Sequence, residues 1–236
     1  MTSKEIELKH TVDIDTRWAL LPKCDELAYR ELHSKSLVPT SIKIDVTMFR
    51  NTMEQYSNYF KPWSKNRPEM FKIRKGLPLV NLTGRYTDDD DPTIGPLDYH
   101  NKINPNNQLL ETDITTPTKI LYEECFNPLE ILHPYLIRSS ILMWEKGANF
   151  VPHVDTGVPS PHFRLWGTDN PESIKLRFKN SFDEYVEVTN VEAGRIYIID
   201  TAEYHDALCT STMGYQFFIA VNIEAYDLLK NIKETQ

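Results

Sequence analysis

His153 and Asp155 stand two residues apart in the segment Asn149-Phe-Val-Pro-His-Val-Asp-Thr-Gly, and that spacing has chemical consequences. On a strand, side chains two apart project from the same face, whereas on a helix they point in nearly opposite directions. Pro152 and the β-branched Val151 and Val154 favour the strand. An imidazole and a carboxylate side by side make two thirds of a facial metal site, and the third donor must come from another strand. His205 is the natural candidate. It follows Val191-Glu-Ala-Gly-Arg-Ile-Tyr-Ile-Ile-Asp, a turn and then an apolar strand that ends five residues before it. Two neutral imidazoles and one carboxylate with open coordination positions suit iron(II) that must activate oxygen. Zinc carrying a water is the competing metal, because the same donor set serves hydrolases. Each residue also has a plain reading: His153 as a turn cap, Asp155 as an Asx-turn residue, His205 as a surface-loop histidine.

The elements that must position these three are legible as punctuation and periodicity. Apolar spacing predicts a helix over 24–33 and a weaker one over 47–60, closed by Pro62 and Pro68. A short strand is expected at 77–82. From 87 to 117 the composition shifts to Asp, Asn, Pro and Gly, which reads as a long loop, functional or mobile, and a candidate lid. The acidic run at 88–91 lacks the spacing of a calcium loop and reads as solvated surface. A helix is expected over 119–130, in two pieces because of Pro128. Seven strands then follow, at 139–144, 149–155, 163–166, 174–179, 185–188, 194–200 and 215–223, separated by turns such as Lys146-Gly-Ala and Glu192-Ala-Gly. Closely spaced strands of this kind predict an antiparallel sandwich or barrel with flanking helices. The expected organisation is a single domain, with residues 1–137 packing on a core formed by 138–224.

Composition bounds the function. The 236 residues, 40% apolar and 11% aromatic, are enough for a substantial core and too apolar for a disordered chain. The longest apolar runs fall far short of the ~20 residues a membrane helix needs. Met1-Thr-Ser-Lys-Glu-Ile-Glu has no apolar stretch, so it does not read as a secretory signal. A net charge of -8 and the lack of aromatic–basic interleaving argue against nucleic acid as a partner. Three well-separated cysteines, Cys24, Cys125 and Cys209, argue against a disulfide framework. The expectation is a cytoplasmic protein.

Residues 138–224 resemble the double-stranded β-helix (jelly-roll or cupin-like) core of the iron(II)/2-oxoglutarate-dependent dioxygenases. Within that superfamily the likeness is to the aspartyl/asparaginyl β-hydroxylase-like branch, which includes hydroxylases of free proline. It rests on Arg138-Ser-Ser-Ile-Leu-Met-Trp-Glu-Lys-Gly, on Val-Pro-His153-Val-Asp155, on Phe163-Arg164-Leu165-Trp166, and on Glu192-Ala-Gly-Arg-Ile-Tyr-Ile-Ile-Asp200 followed by His205. The resemblance implies His153, Asp155 and His205 as ligands of Fe(II). It implies O2 and 2-oxoglutarate as co-substrates, the latter chelating through its 1-carboxylate and 2-keto oxygens, with ascorbate in a supporting role. The implied reaction hydroxylates an unactivated C–H bond of an amino acid, free or within a polypeptide, and releases succinate and carbon dioxide. Two other readings stand beside it, a cupin-like hydrolase or isomerase using zinc or manganese, and a non-catalytic barrel.

A buried distal carboxylate needs a cation, and the bidentate fork of arginine suits it better than lysine. Arg164 is the expected anchor, with a surface ion pair as its plain alternative. The chain departs from the family pattern where a second basic residue is usual after the distal histidine. Tyr215 stands there between Gly214 and Gln216, so its hydroxyl is an expected helper, with Arg177 or Lys175 as substitutes from the next strand. Trp166 and His162 share the strand face of Arg164 and are expected at the pocket wall, as a core aromatic and a loop-end histidine otherwise. Arg138 is expected to contact substrate or co-substrate, or to pair with Glu145 or a neighbour. Asp206 is expected to orient His205 as an acceptor.

Overall fold

The computed structural model describes residues 30–62, 74–86, 93–95, 97–155 and 162–234. The helix expected over 24–33 lies mostly outside these, as do Cys24, the acidic run at 88–91 and the turn that follows Asp155. Strand β1 (Leu37–Lys43) leads into helix α1 (Val46–Gln55), whose N-cap Asp45 accepts a hydrogen bond from the Met48 N–H at 2.9 Å. Phe49, Thr52 and Met53, spaced three and four apart, form the buried stripe of that helix. The short strand β2 (Lys61–Pro62) and strand β3 (Arg74–Asn81) follow.

The segment read as one long loop is partly ordered. It holds helix α2 (Leu97–Ile103), a 3-10 turn at Glu111–Asp113 and the short strand β4 (Thr116–Pro117). Side chains replace a ladder here. The Asn101 amide donates to the Leu109 carbonyl and its oxygen accepts from the Leu109 N–H, both at 2.8 Å, which folds the chain back on α2. The helix expected at 119–130 is instead two 3-10 segments, Lys119–Tyr122 and Glu124–Tyr135. The longer one contains Pro128 and Pro134, which lack an N–H and clash with the carbonyl four residues back, so the α-helical ladder does not form.

The remaining strands are β5 (Leu136–Trp144), β6 (Asn149–His153), β7 (His162–Thr168), β8 (Ile174–Lys179), β9 (Tyr185–Glu187), β10 (Arg195–Ile199), β11 (His205–Cys209) and β12 (Gly214–Asn222), before helix α3 (Tyr226–Ile232). β1 and β11 are strands that the turn signals do not announce. Among the described residues all pairing is antiparallel and forms two sheets. The larger runs β1-β10-β7-β12-β5-β3-β2, with β4 joined to β3, and the smaller runs β6-β11-β8-β9. This is a double-stranded β-helix. Among the described residues, no helix is long and apolar enough to cross a membrane.

The larger sheet is buried on both faces because it separates two cores. On one side Phe217, Ile219 and Val221 of β12 meet Phe49 and Met53 of α1 and Phe126 and Leu129 of the 3-10 segment. On the other, Trp166, Tyr197 and Ile199 face Ile174, Leu176, Phe178, Ala207 and Cys209 of the smaller sheet. The turn into β10 requires Gly194. Its φ is +78°, and a Cβ there would lie 2.2 Å from the Ile44 carbonyl oxygen, whose own N–H donates to the Gly194 carbonyl at 2.9 Å.

Candidate metal centre

His153 closes β6 and His205 opens β11, and the antiparallel register sets them directly opposite each other. Their ring centroids are 4.3 Å apart. Asp155, two residues past His153, is fixed by its own N–H donating to the Thr201 carbonyl at 2.9 Å. One ligating atom from each of the three lies within 4.8 Å of the others, and the His153 Nε2 is 3.4 Å from the Asp155 Oδ1. The tautomers follow from the outer partners. His153 Nδ1 meets the Val151 carbonyl at 2.9 Å and His205 Nδ1 meets the Glu203 carbonyl at 2.8 Å. A carbonyl only accepts, so each Nδ1 carries the proton and each Nε2 offers its lone pair to the common point.

Apolar rings wall the two imidazoles, Phe150 at 4.1 Å from His153 and Phe178 at 5.8 Å from His205. Burial, reinforced by the neighbouring His153, pushes the His205 pKa down to about 4, so this ring is a neutral ligand at pH 7. Burial works to raise the Asp155 pKa, but the adjacent His153 ring and the Arg164 guanidinium outweigh it and hold the carboxyl well below its usual range. Two neutral imidazoles and an ionised carboxylate converging in this way fit a divalent transition metal.

Next to this trio the interior carries charge. Arg164 projects inward from β7, with its Nε 3.8 Å from the Asp155 Oδ2 and its guanidinium 4.5 Å from the centre of the Phe218 ring. Its Nη2 donates to the Glu111 Oε1 at 3.0 Å, and the same oxygen accepts from the Arg138 Nη1 at 2.8 Å. Arg138 also donates to the Gly95 carbonyl. Glu111 is only 2% exposed. Burial raises its pKa, but Arg138, Arg164 and His162 prevail and bring it down to about 2. A third buried guanidinium, that of Arg74, stacks 4.7 Å from Trp144 and 4.4 Å from Phe150, and burial lowers its pKa to about 9.

The expectations therefore divide. His153, Asp155 and His205 come together, and Arg164, Arg138, Trp166 and His162 are all buried along the barrel side of the larger sheet. Tyr215 does not join them. Strand alternation sends it to the opposite face with Phe217, where its ring lies 5.5 Å from Phe49 and 5.8 Å from Phe60. Arg177 and Lys175 also face away, because Leu176 and Phe178 take the inward positions of β8. Arg177 grips Asp206 through two hydrogen bonds of 2.8 and 2.5 Å, and Lys175 pairs with Glu187 at 3.0 Å. Asp206 is thus committed to Arg177, and the Glu203 carbonyl orients His205 in its place. Arg138 pairs with Glu111 rather than Glu145, whose partner is Lys75. Glu111 and Arg74 were missed. The only sequence signal for Glu111 was the pair of inward arginines that a buried anion would balance.

No family model matches the chain, and no curated protein matches it. Among solved structures it is similar to a prolyl hydroxylase from Trichoplax adhaerens in complex with a hypoxia inducible factor peptide fragment. That likeness has 10% identity, a TM-score of 0.46, and coverage of 97% of this chain and 99% of the other. A Pseudomonas putida prolyl-4-hydroxylase is similar at 11% identity with a TM-score of 0.44, over 83% of this chain and 98% of the other. An oxalate oxidase is similar over 39% of this chain at 13% identity and a TM-score of 0.30, and the match spans only 44% of the oxidase.

Proposed function

We propose that the protein is an iron(II)- and 2-oxoglutarate-dependent oxygenase that hydroxylates an unactivated C–H bond of an amino acid, free or peptidyl. The observation that carries this reading is the convergence of two Nε2 lone pairs and one carboxylate beside a buried arginine that reaches them from the larger sheet. His153, Asp155 and His205 would hold the metal and leave coordination positions open. Bound iron would supply oxygen activation driven by oxidative decarboxylation of 2-oxoglutarate, yielding succinate and carbon dioxide. The chain's own residues do the rest. Val151 and Glu203 lock the imidazole tautomers, and Phe150 and Phe178 pack against the two rings. Arg164 offers N–H groups to the distal carboxylate of the co-substrate from a site shielded by Phe218.

The test is direct. Purified protein supplied with iron(II), ascorbate, 2-oxoglutarate and a panel of free amino acids that includes proline is assayed for succinate. Succinate formation that requires iron and is abolished in His153→Ala supports the proposal. Stoichiometric zinc in protein purified without added metal, with no succinate formed under any condition, would overturn it in favour of a hydrolase.

A further inference from the structure

The buried row Arg138–Glu111–Arg164 holds two cations and one anion and so carries one net positive charge. Glu111 supplies a single oxygen, Oε1, to both arginines, while its Oε2, equally buried, has no hydrogen-bond partner among the described residues. The Nε and Nη1 of Arg164 likewise have no hydrogen-bond partner among them. Arg138 and Arg164 come from strands of the barrel wall, whereas Glu111 reaches in from a 3-10 turn on the connection after α2. The wall therefore provides a two-arginine anion receptor, and a resident side chain already fills part of it. Such a carboxylate repels any ligand carboxylate that comes to Arg164, and it does so across a desolvated interior where screening is weak.

We propose that Glu111 is a specificity-determining internal anion. It limits the receptor to one net positive charge, and Arg138 is the positioning residue that keeps Glu111 from neutralising Arg164 outright. The site accordingly takes a ligand that brings a single carboxylate to Arg164, which names the recognised end of the co-substrate and rests on the proposed oxygenase reading to that extent.

The prediction has a sign that a purely structural role does not share. Glu111→Gln keeps the shape and the Oε1 acceptor but raises the row from one net charge to two. Arg138→Met lowers it to zero, and the double variant restores one. Protein loaded with manganese(II) is titrated with 2-oxoglutarate, succinate and acetate by calorimetry, and folding of each variant is checked by thermal denaturation. Glu111→Gln should bind 2-oxoglutarate roughly tenfold or more tighter, as expected for removing a charge within a few ångströms at an effective dielectric near 20. Arg138→Met should bind it at least about tenfold more weakly, and adding Glu111→Gln to it should recover affinity near that of the unmodified protein. Unchanged or weaker binding in a folded Glu111→Gln protein overturns the proposal, as does a double variant no better than Arg138→Met. If none of the three carboxylates binds either the unmodified protein or Glu111→Gln, the proposal falls with them. If succinate or acetate follows the predicted order while 2-oxoglutarate does not bind, the proposal stands and the co-substrate reading fails.

Discussion

In protein kept free of metal by a chelator, His205 makes the stability of the fold depend on pH in a calculable way. Its ring is 6% exposed, lies 4.3 Å from His153 and 5.8 Å from Phe178, and titrates near 4 against an ordinary 6.5. As pH falls through 6.5 the unfolded chain takes up a proton at this residue, whereas the folded chain does so only on passing 4. Between those values the unfolded state binds more protons, so stability drops as the solution is acidified. At pH 4.5 the two values give a loss of about 2–3 kcal/mol relative to pH 7.5. Urea denaturation of chelated protein at the two pH values, on the unmodified chain and on His205→Gln, isolates the contribution, because glutamine is polar but does not titrate. The unmodified protein should lose about 2–3 kcal/mol more than the variant over this interval. Equal losses would refute the reasoning and would mean that the ring is hydrated in the folded state. The same depression bears on metal loading: a cation arriving at pH 7 displaces no proton from His205.

Three further outcomes are expected. Arg177→Ala leaves the buried Asp206 carboxylate without its bidentate partner and should destabilise the fold by about 1–3 kcal/mol in denaturation, while manganese(II) affinity measured by calorimetry stays unchanged; a drop in metal affinity would return Asp206 to the metal centre. Tyr215→Phe should leave 2-oxoglutarate affinity unchanged, since the ring packs on Phe49 and Phe60, and a tenfold weakening would show that the hydroxyl reaches the barrel interior. Gly194→Ala forces a side chain into a left-handed conformation worth about 1–3 kcal/mol and against the Ile44 carbonyl oxygen, so the melting temperature should fall by several degrees or more; a change within error would mean that the turn before β10 can relax.

The residues of the candidate metal site were legible because their chemistry coincides with local periodicity. The His-x-Asp spacing needs only a strand to bring both donors to one face, and β6 supplies it. The position of His205 was legible, but the strand it opens was not. Residues 205–209 lack a flanking turn signal, and the burial of His205 and Asp206 on opposite faces hides the apolar alternation. Tyr215 was misassigned through analogy with the family pattern, when alternation along β12 already coupled its face to that of Phe217 and Ile219. Glu111 was unreadable for a different reason. Its burial depends on two arginines 27 and 53 residues away in sequence, and no local pattern reports a partner at that distance. The 3-10 segment at 124–135 shows the opposite case: Pro128 marked a break, and the added Pro134 forbade the regular helix altogether.

The charges of the interior form a sequence in space that no single element contains. Asp155 lies beside Arg164, Arg164 beside Glu111, and Glu111 beside Arg138, with separations of 3.8, 3.0 and 2.8 Å. Any one of these ions buried alone would cost several kcal/mol, and alternation of sign is what makes the row tolerable. The two ends of the row behave differently. At the Arg138 end the row is anchored to the chain by the Gly95 carbonyl, so it is closed by the protein itself. At the other end, Asp155 faces the lone pairs of His153 and His205, and a divalent cation there continues the alternation. A cation engaging Asp155 would also weaken the hold of that carboxylate on Arg164 and so would free the guanidinium for an incoming anion. Under the proposed oxygenase reading Arg164 would link metal loading to carboxylate recognition, and the geometry allows this because β7 carries its side chain to the barrel side while Phe163 and Leu165 turn to the other core.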